Sequence, residues 1–334
     1  MPEMLREVSG VRADALPADV LQSTAPLVLR GLVTHWPLVQ AAQQSDVHVC
    51  NYLRRFGAGN RVGIWRGAPE IAGRFFYNDD FSGFNYLRQV GQFSALLDEL
   101  LSVAAHPRPP ALYVGSTAID TFLPGMRTEN DLALGVYDPL VSLWFGNRTR
   151  VAAHFDLADN VACVVAGRRR FTLFAPEQVA NLYVGPLDFT PAGQPISLVD
   201  LAQPDLQRFP RFAQAQAHAI TAELAPGDAI FIPSLWWHAV EALDAINGLV
   251  NYWWRQSPPF MDSPLNTLVL AQLTLRDLPP AQRKAWKAMF DHYVFEADDS
   301  TAAHVPPAVQ GVLAPFSEDG ARNLRAVLLK RLNR

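Results

Sequence analysis

Between Ala111 and Ser257 the chain is cut into short apolar or alternating segments: "ALYVGS", "VSLWFG", "VACVVAG", "RFTLFA", "DAIFIP", "LWWHAVEAL" and "GLVNYWW". Such short runs with turn chemistry between them read as strands. Turn signals separate several of them, "PGD" at 226–228 and "NG" at 247–248 among them. A succession of this kind closes into a barrel or a sandwich, because only then do the strands cover one another's apolar faces. The flanks have a different texture. "APLVLRGLVTHWP" predicts a short strand ending at Gly31, and Phe93, Leu96, Leu97, Leu100 and Leu101 form a helical stripe over Gln92 to Ala104. "HPRPP" at 106–110 stops that helix. After "RQSPP" at 255–259 the pattern turns helical again. One stripe there comprises Trp286, Met289, Phe290, Tyr293 and Val294, another Leu324, Val327, Leu328 and Leu332. The expected layout is a mixed α/β flank over 1–110, a β-domain over 111–258 and a helical region over 259–334.

Composition narrows the functional classes. Of 334 residues 49% are hydrophobic, enough for a full core, and the net charge is -4. There is no basic footprint, which argues against a nucleic-acid partner. Two cysteines, Cys50 and Cys163, make neither a disulfide framework nor a thiolate zinc site. Cys163, inside "VACVVA", reads as a small buried hydrophobe. No apolar run is long enough to span a bilayer, and "MPEMLREVSG" lacks the apolar core of a signal peptide. A soluble, cytoplasmic protein without membrane partners is the expectation. Only three lysines stand against 25 arginines.

"HFDLADNVACVVAGRRRF" at 154–171 carries the chemistry. His154 and Asp156 are two residues apart, a spacing that on a strand aims both side chains to one side. Alone, His-x-Asp is weak, since a carboxylate also orients a histidine in an ordinary polar strand. A second element, "APGDAIFIPSLWWHAVEAL" at 225–243, places His238 in the same β-domain. Two imidazoles and one carboxylate form the facial triad that holds Fe(II) and leaves positions open. Zinc with three protein ligands and a water is the chemical competitor.

These motifs, with "VNYWW" at 250–254 and "PLVLRGLVTHW" at 26–36, resemble the cupin-like JmjC oxygenases. Those enzymes depend on Fe(II) and 2-oxoglutarate and include the asparaginyl hydroxylase factor inhibiting HIF; the bacterial cupin-like branch is the most similar. The resemblance implies a mainly β fold with α, a double-stranded β-helix (cupin or jelly roll) with an N-terminal α/β flank and a C-terminal helical extension. It implies His154, Asp156 and His238 as iron ligands and catalytic residues. It further implies a 2-oxoglutarate pocket of Tyr113, Asn160, Arg169 and Asn251. Tyr113 also fits a core role and Asn160 a turn cap.

Two positions depart from the family pattern. Arg169 stands where a lysine usually holds the distal carboxylate of 2-oxoglutarate; its guanidinium can hold a carboxylate in bidentate fashion. Val151 stands where a threonine hydroxyl usually helps, leaving Thr149 or a water to replace it. Arg168 and Arg170 point to the opposite, solvated face of an extended strand. Trp236 and Trp237, flanking His238, either line the pocket or fill the end of the barrel. The implied activity is hydroxylation of a C–H bond, first of a protein or peptide side chain. A small molecule or RNA substrate, or a metal-binding cupin without oxygenase activity, are the alternatives. The tail resembles an extension that pairs subunits, so a homodimer is expected.

Overall fold

Residues 159–166, "DNVACVVA", are buried at every position, which a strand shows only when both of its faces are covered. The fold supplies a cover for each face. It is a computed structural model describing residues 5–333. Its strands are β1 (Arg6–Ser9), β2 (Leu27–Arg30), β3 (Arg61–Gly67), β4 (Arg74–Phe75), β5 (Tyr86–Gln92), β6 (Ala111–Ala118) and β7 (Leu140–Gly146). They continue with β8 (Arg150–His154), β9 (Asp159–Ala166), β10 (Arg169–Phe174), β11 (Ile220–Leu224), β12 (Ala229–Ile232), β13 (Trp237–Ala242) and β14 (Asn247–Trp254).

Two mainly antiparallel sheets form. One has nine strands in the order β1-β2-β12-β9-β14-β7-β6-β3-β5, the other five in the order β11-β10-β13-β8-β4. Ala162 and Val164 of β9, Leu249 of β14 and Ile230 of β12 pack with Phe171 and Leu173 of β10, so this cluster lies between the sheets. The alternate residues Val161, Cys163, Val165, Val250 and Tyr252 pack with Leu38, Leu53, Phe93 and Leu97 from the N-terminal helices. Cys163 and Cys50 are both fully buried in that cluster as free thiols. The protein is therefore mostly β with helices, a jelly-roll-type core of two large sheets followed by a helical C-terminal region.

The strand before Gly31 and the helix Phe93–Val103 form where the sequence pattern puts them. "PGD" makes its turn, with Asp228 capping it by accepting from Ala225 N and from Gly31 N. "NG" does not. Asn247 and Gly248 already pair with Gly146 and Phe145 in β14, and the turn lies just before them. The chain divides into two compact units, Met1–Gln256 and Ser257–Arg334. In the second, helices span Pro264–Thr274, Pro280–Phe290 and Glu318–Leu332, and no described residue is buried. Among the described residues no helix is long and apolar enough to cross a membrane.

Candidate active site

Strand pairing brings the two histidines together. His154 and His238 are direct partners in the β8–β13 ladder, and their ring centroids are 4.3 Å apart. Asp156 follows two residues after the end of β8, with Oδ2 3.6 Å from His238 Nε2. Its backbone carbonyl accepts from Leu235 N at 2.9 Å, which ties this turn to the approach of β13. One ligand atom from each of His154, Asp156 and His238 lies within 4.8 Å of the others.

The outer hydrogen bonds decide which ring nitrogens face inward. His154 Nδ1 is 2.9 Å from Ala152 O, and His238 Nδ1 is 3.0 Å from Trp236 O. A carbonyl only accepts, so in each neutral ring Nδ1 carries the proton and Nε2 offers a bare lone pair. Burial, reinforced by His154, pushes the His238 pKa down to about 4 and keeps that ring neutral near pH 7. Asp156 Oδ2 is buried and accepts no hydrogen bond. The Nε2 sides of the two rings and a carboxylate oxygen thus converge. A divalent cation fits this donor set, with the carbonyl-bound Nδ1 atoms holding the rings in place.

Arg169 sits across the same cavity, on β10, and is only 2% exposed. Its Nε and Nη2 have no hydrogen-bond partner, and the Tyr113 hydroxyl interacts with the guanidinium. Burial pushes its pKa down, with Tyr113 opposing; burial likewise pushes the Tyr113 pKa up, with Arg169 opposing. A guanidinium buried without a carboxylate is expensive, and an entering anion removes that cost. Asn160 Oδ1 and Asn251 Nδ2 are also buried without partners, while Asn251 Oδ1 accepts from Trp144 Nε1 at 2.8 Å. Tyr113, His154, Asp156, Asn160, Arg169, His238 and Asn251 all line one cavity.

Neighbouring positions sort themselves clearly. Val151 lines the cavity and Thr149, though buried, does not, so Thr149 does not stand in for the missing hydroxyl. Arg168 pairs with Asp244, and Arg170 with Glu223 and Glu241, outside the cavity as alternation predicts. Trp236 and Trp237 do not line it. Trp237 packs edge-on against Phe155 and Trp236 Nε1 donates to Thr24 O. The tryptophans that do are Trp65, Trp144 and Trp253, from β3, β7 and β14. Sequence reasoning also missed Gln194, whose Oε1 is buried without a partner in the cavity wall. It belongs to a loop that the Tyr77 and Tyr86 hydroxyls hold through Phe189 O and Pro191 O. No spacing rule marks a loop residue of this kind.

Comparison with known proteins agrees with the geometry. Residues 13–260 match the model of the cupin-like domain family. Mouse "tRNA wybutosine-synthesizing protein 5" is 29% identical over 273 residues, 75% of this chain and 77% of that protein. "Lysine-specific demethylase 8" of Xenopus tropicalis is 26% identical over 243 residues, 69% of this chain and 48% of its own length. Human "HSPB1-associated protein 1" is 37% identical over 114 residues, 34% of this chain, and the match covers only 23% of that relative's length. With the family match spanning most of both sheets, the chain belongs to the cupin-like domain family.

Proposed function

We propose that this protein is an Fe(II)- and 2-oxoglutarate-dependent oxygenase that hydroxylates a C–H bond, in the first place of a protein or peptide side chain. One observation carries the reading: a His-Asp-His donor set and a buried guanidinium without a carboxylate partner open onto the same cavity. A metal ligand set alone fits many cupins; a cationic anchor beside it fits an anionic co-substrate. His154, Asp156 and His238 would hold Fe(II). Bound together, Fe(II) and 2-oxoglutarate supply the oxygen activation that the side chains of a protein lack. Arg169 and the protonated Tyr113 hydroxyl offer donors to the distal carboxylate, and Asn160 and Asn251 supply further polar contacts. The rings of Trp65, Phe75, Trp144 and Trp253 keep the cavity wall apolar, which strengthens the Arg169 interaction. The free Gln194 amide is placed to receive a polar group of the substrate.

A second reading of the substrate, a modified tRNA base, is favoured by the relative named as a tRNA wybutosine-synthesizing protein, which aligns over three quarters of both chains. The net charge of -4 favours the polypeptide.

Anaerobic titration with Fe(II) and then 2-oxoglutarate tests the chemistry. A visible charge-transfer band should require both, disappear in Asp156→Ala, and be lost or much weakened in Arg169→Ala. Iron binding without a band upon 2-oxoglutarate addition would remove the co-substrate assignment and leave a metal-binding cupin.

A further inference from the structure

On the outer face of the five-stranded sheet lies a second cavity, lined by Arg74, Arg150, Asp200, Arg170, Thr172 and Glu241, among others. Arg74 and Arg150 are direct partners in the parallel β4–β8 ladder. Like charges placed opposite one another destabilise a sheet unless something lies between them. Here one carboxylate does. Asp200 Oδ1 accepts from Arg150 Nη1 at 3.1 Å and from Ala202 N at 3.1 Å. Its Oδ2 is 3.8 Å from Arg74 Nε, outside hydrogen-bond reach. Arg74 itself makes a single long bond, from Nη2 to Leu198 O at 3.3 Å.

Other partly buried arginines of the chain are better supplied. Arg170, in the same cavity, has Glu223 and Glu241; Arg127 has Asp120 and Asp131; Arg30 has Glu7 and Asp228. Two guanidiniums sharing one carboxylate leave a surplus positive charge at Arg74, whose side chain is only 21% exposed. Burial pushes the Arg74 pKa down; Asp200 opposes this and Arg150 adds to the lowering, so among the described residues Arg74 has as counter-charge only a carboxylate that it shares with Arg150. Its orientation is fixed all the same, because the guanidinium lies 3.7 Å above the Phe76 ring.

We propose that this cavity is a binding site for a single oxyanion group, a carboxylate or a phosphate, held by the free edge of Arg74 with Arg150 and Asp200 as its fixed wall. The site is separate from the metal-binding cavity. The two share only the wall formed by Val151, Ala152 and Val240, so the inference stands whatever reaction that cavity performs.

Isothermal titration calorimetry tests it, with inorganic phosphate and the α-amide of N-acetylglutamate as probes. Titrations are run on the full chain and on Arg169→Gln, which removes the buried cation of the other cavity. One probe or both should bind at one equivalent to the Arg169→Gln protein. Affinity should fall about tenfold or more in the Arg74→Gln, Arg169→Gln double variant, as losing a charge-assisted pair of hydrogen bonds implies. Arg74→Lys, which keeps the charge without the fork, should lie between and guards against a folding defect in the glutamine variant. Preference for phosphate or for the carboxylate identifies the source of the oxyanion. Absence of binding in Arg169→Gln, or equal binding in Arg169→Gln and in the Arg74→Gln, Arg169→Gln double variant, would overturn the proposal.

Discussion

At the scale of single residues, His238 makes pH a probe of the site in the metal-free protein. Its folded-state pKa of about 4 lies below the ordinary 6.5 because burial, and His154 beside it, disfavour the charged ring. Above pH 6.5 neither the folded nor the unfolded chain holds that proton, and the group leaves stability unchanged. Between 6.5 and 4 the unfolded chain takes up a proton that the folded chain refuses, so stability falls as pH falls, by at most about 1.4 kcal/mol per pH unit. Urea unfolding of the metal-free protein should give a lower midpoint at pH 5 than at pH 7, with the difference reduced in His238→Asn. Equal pH slopes in the two proteins would show that His238 is not the group responsible. The seven residues named from the sequence, Tyr113, His154, Asp156, Asn160, Arg169, His238 and Asn251, lie together on one cavity, and their residue types and motif order are what made that grouping readable. Gln194, Trp65, Trp144 and Trp253 were not legible: a loop amide and three rings on separate strands carry no shared spacing, and only the folded sheet brings them together. Trp236 and Trp237 show the converse, since proximity in sequence to His238 did not bring them to its cavity.

At the scale of elements, the placement of Arg169 depends on one turn. The chain leaves the large sheet at the end of β9 and enters the small one at β10, and Gly167 is the corner. It holds φ at +61°, and a Cβ there would lie 2.3 Å from Ile246 O and 2.5 Å from Asn247 Oδ1. Two positions later Arg169 points inward while Arg168 and Arg170 pair outside, so the corner sets which arginine is buried. Gly167→Ala should cost about 2 kcal/mol or more, from the left-handed backbone and the clash together. It should also weaken the 2-oxoglutarate-dependent band, because Arg169 shifts with the start of β10. Chemical denaturation and the anaerobic titration read the two effects; a variant as stable as the parent would disprove the corner's role. The strand segments of the β-domain and their alternation were readable in the sequence. What was not is the contribution of β1, β2, β3 and β5, which extend the nine-stranded sheet from the N-terminal flank. Sheet partners far apart in sequence leave no local periodicity to read.

At the scale of the whole molecule, the helical unit Ser257–Arg334 poses the remaining physical problem. In the single chain the stripes stand open: Trp286 is 45% exposed, and Met289, Tyr293, Val294, Phe295, Val327, Leu328 and Leu332 are exposed as well. Exposed apolar surface on this scale marks an interaction face, because scattered single residues would not gather on helices in stripes. The helices are locally well made: Ser263 and Ser317 cap two of them, and Glu318 and Asp319 begin the last, with Lys330 and Arg331 near its end. Capping and charge placement stabilise a helix without covering its apolar side, so cover has to come from another surface. We propose a second copy of the chain, which would offer an identical apolar stripe in a closed, two-fold arrangement. Light scattering across a concentration series should therefore give twice the mass of one chain. Charged substitutions in the stripe, Leu328→Asp with Trp286→Asp, should return the single-chain mass while the Fe(II) and 2-oxoglutarate band persists, since no residue of that band lies in this unit. A mass of one chain at every concentration would rule out the dimer and turn attention to a different partner for the same helices.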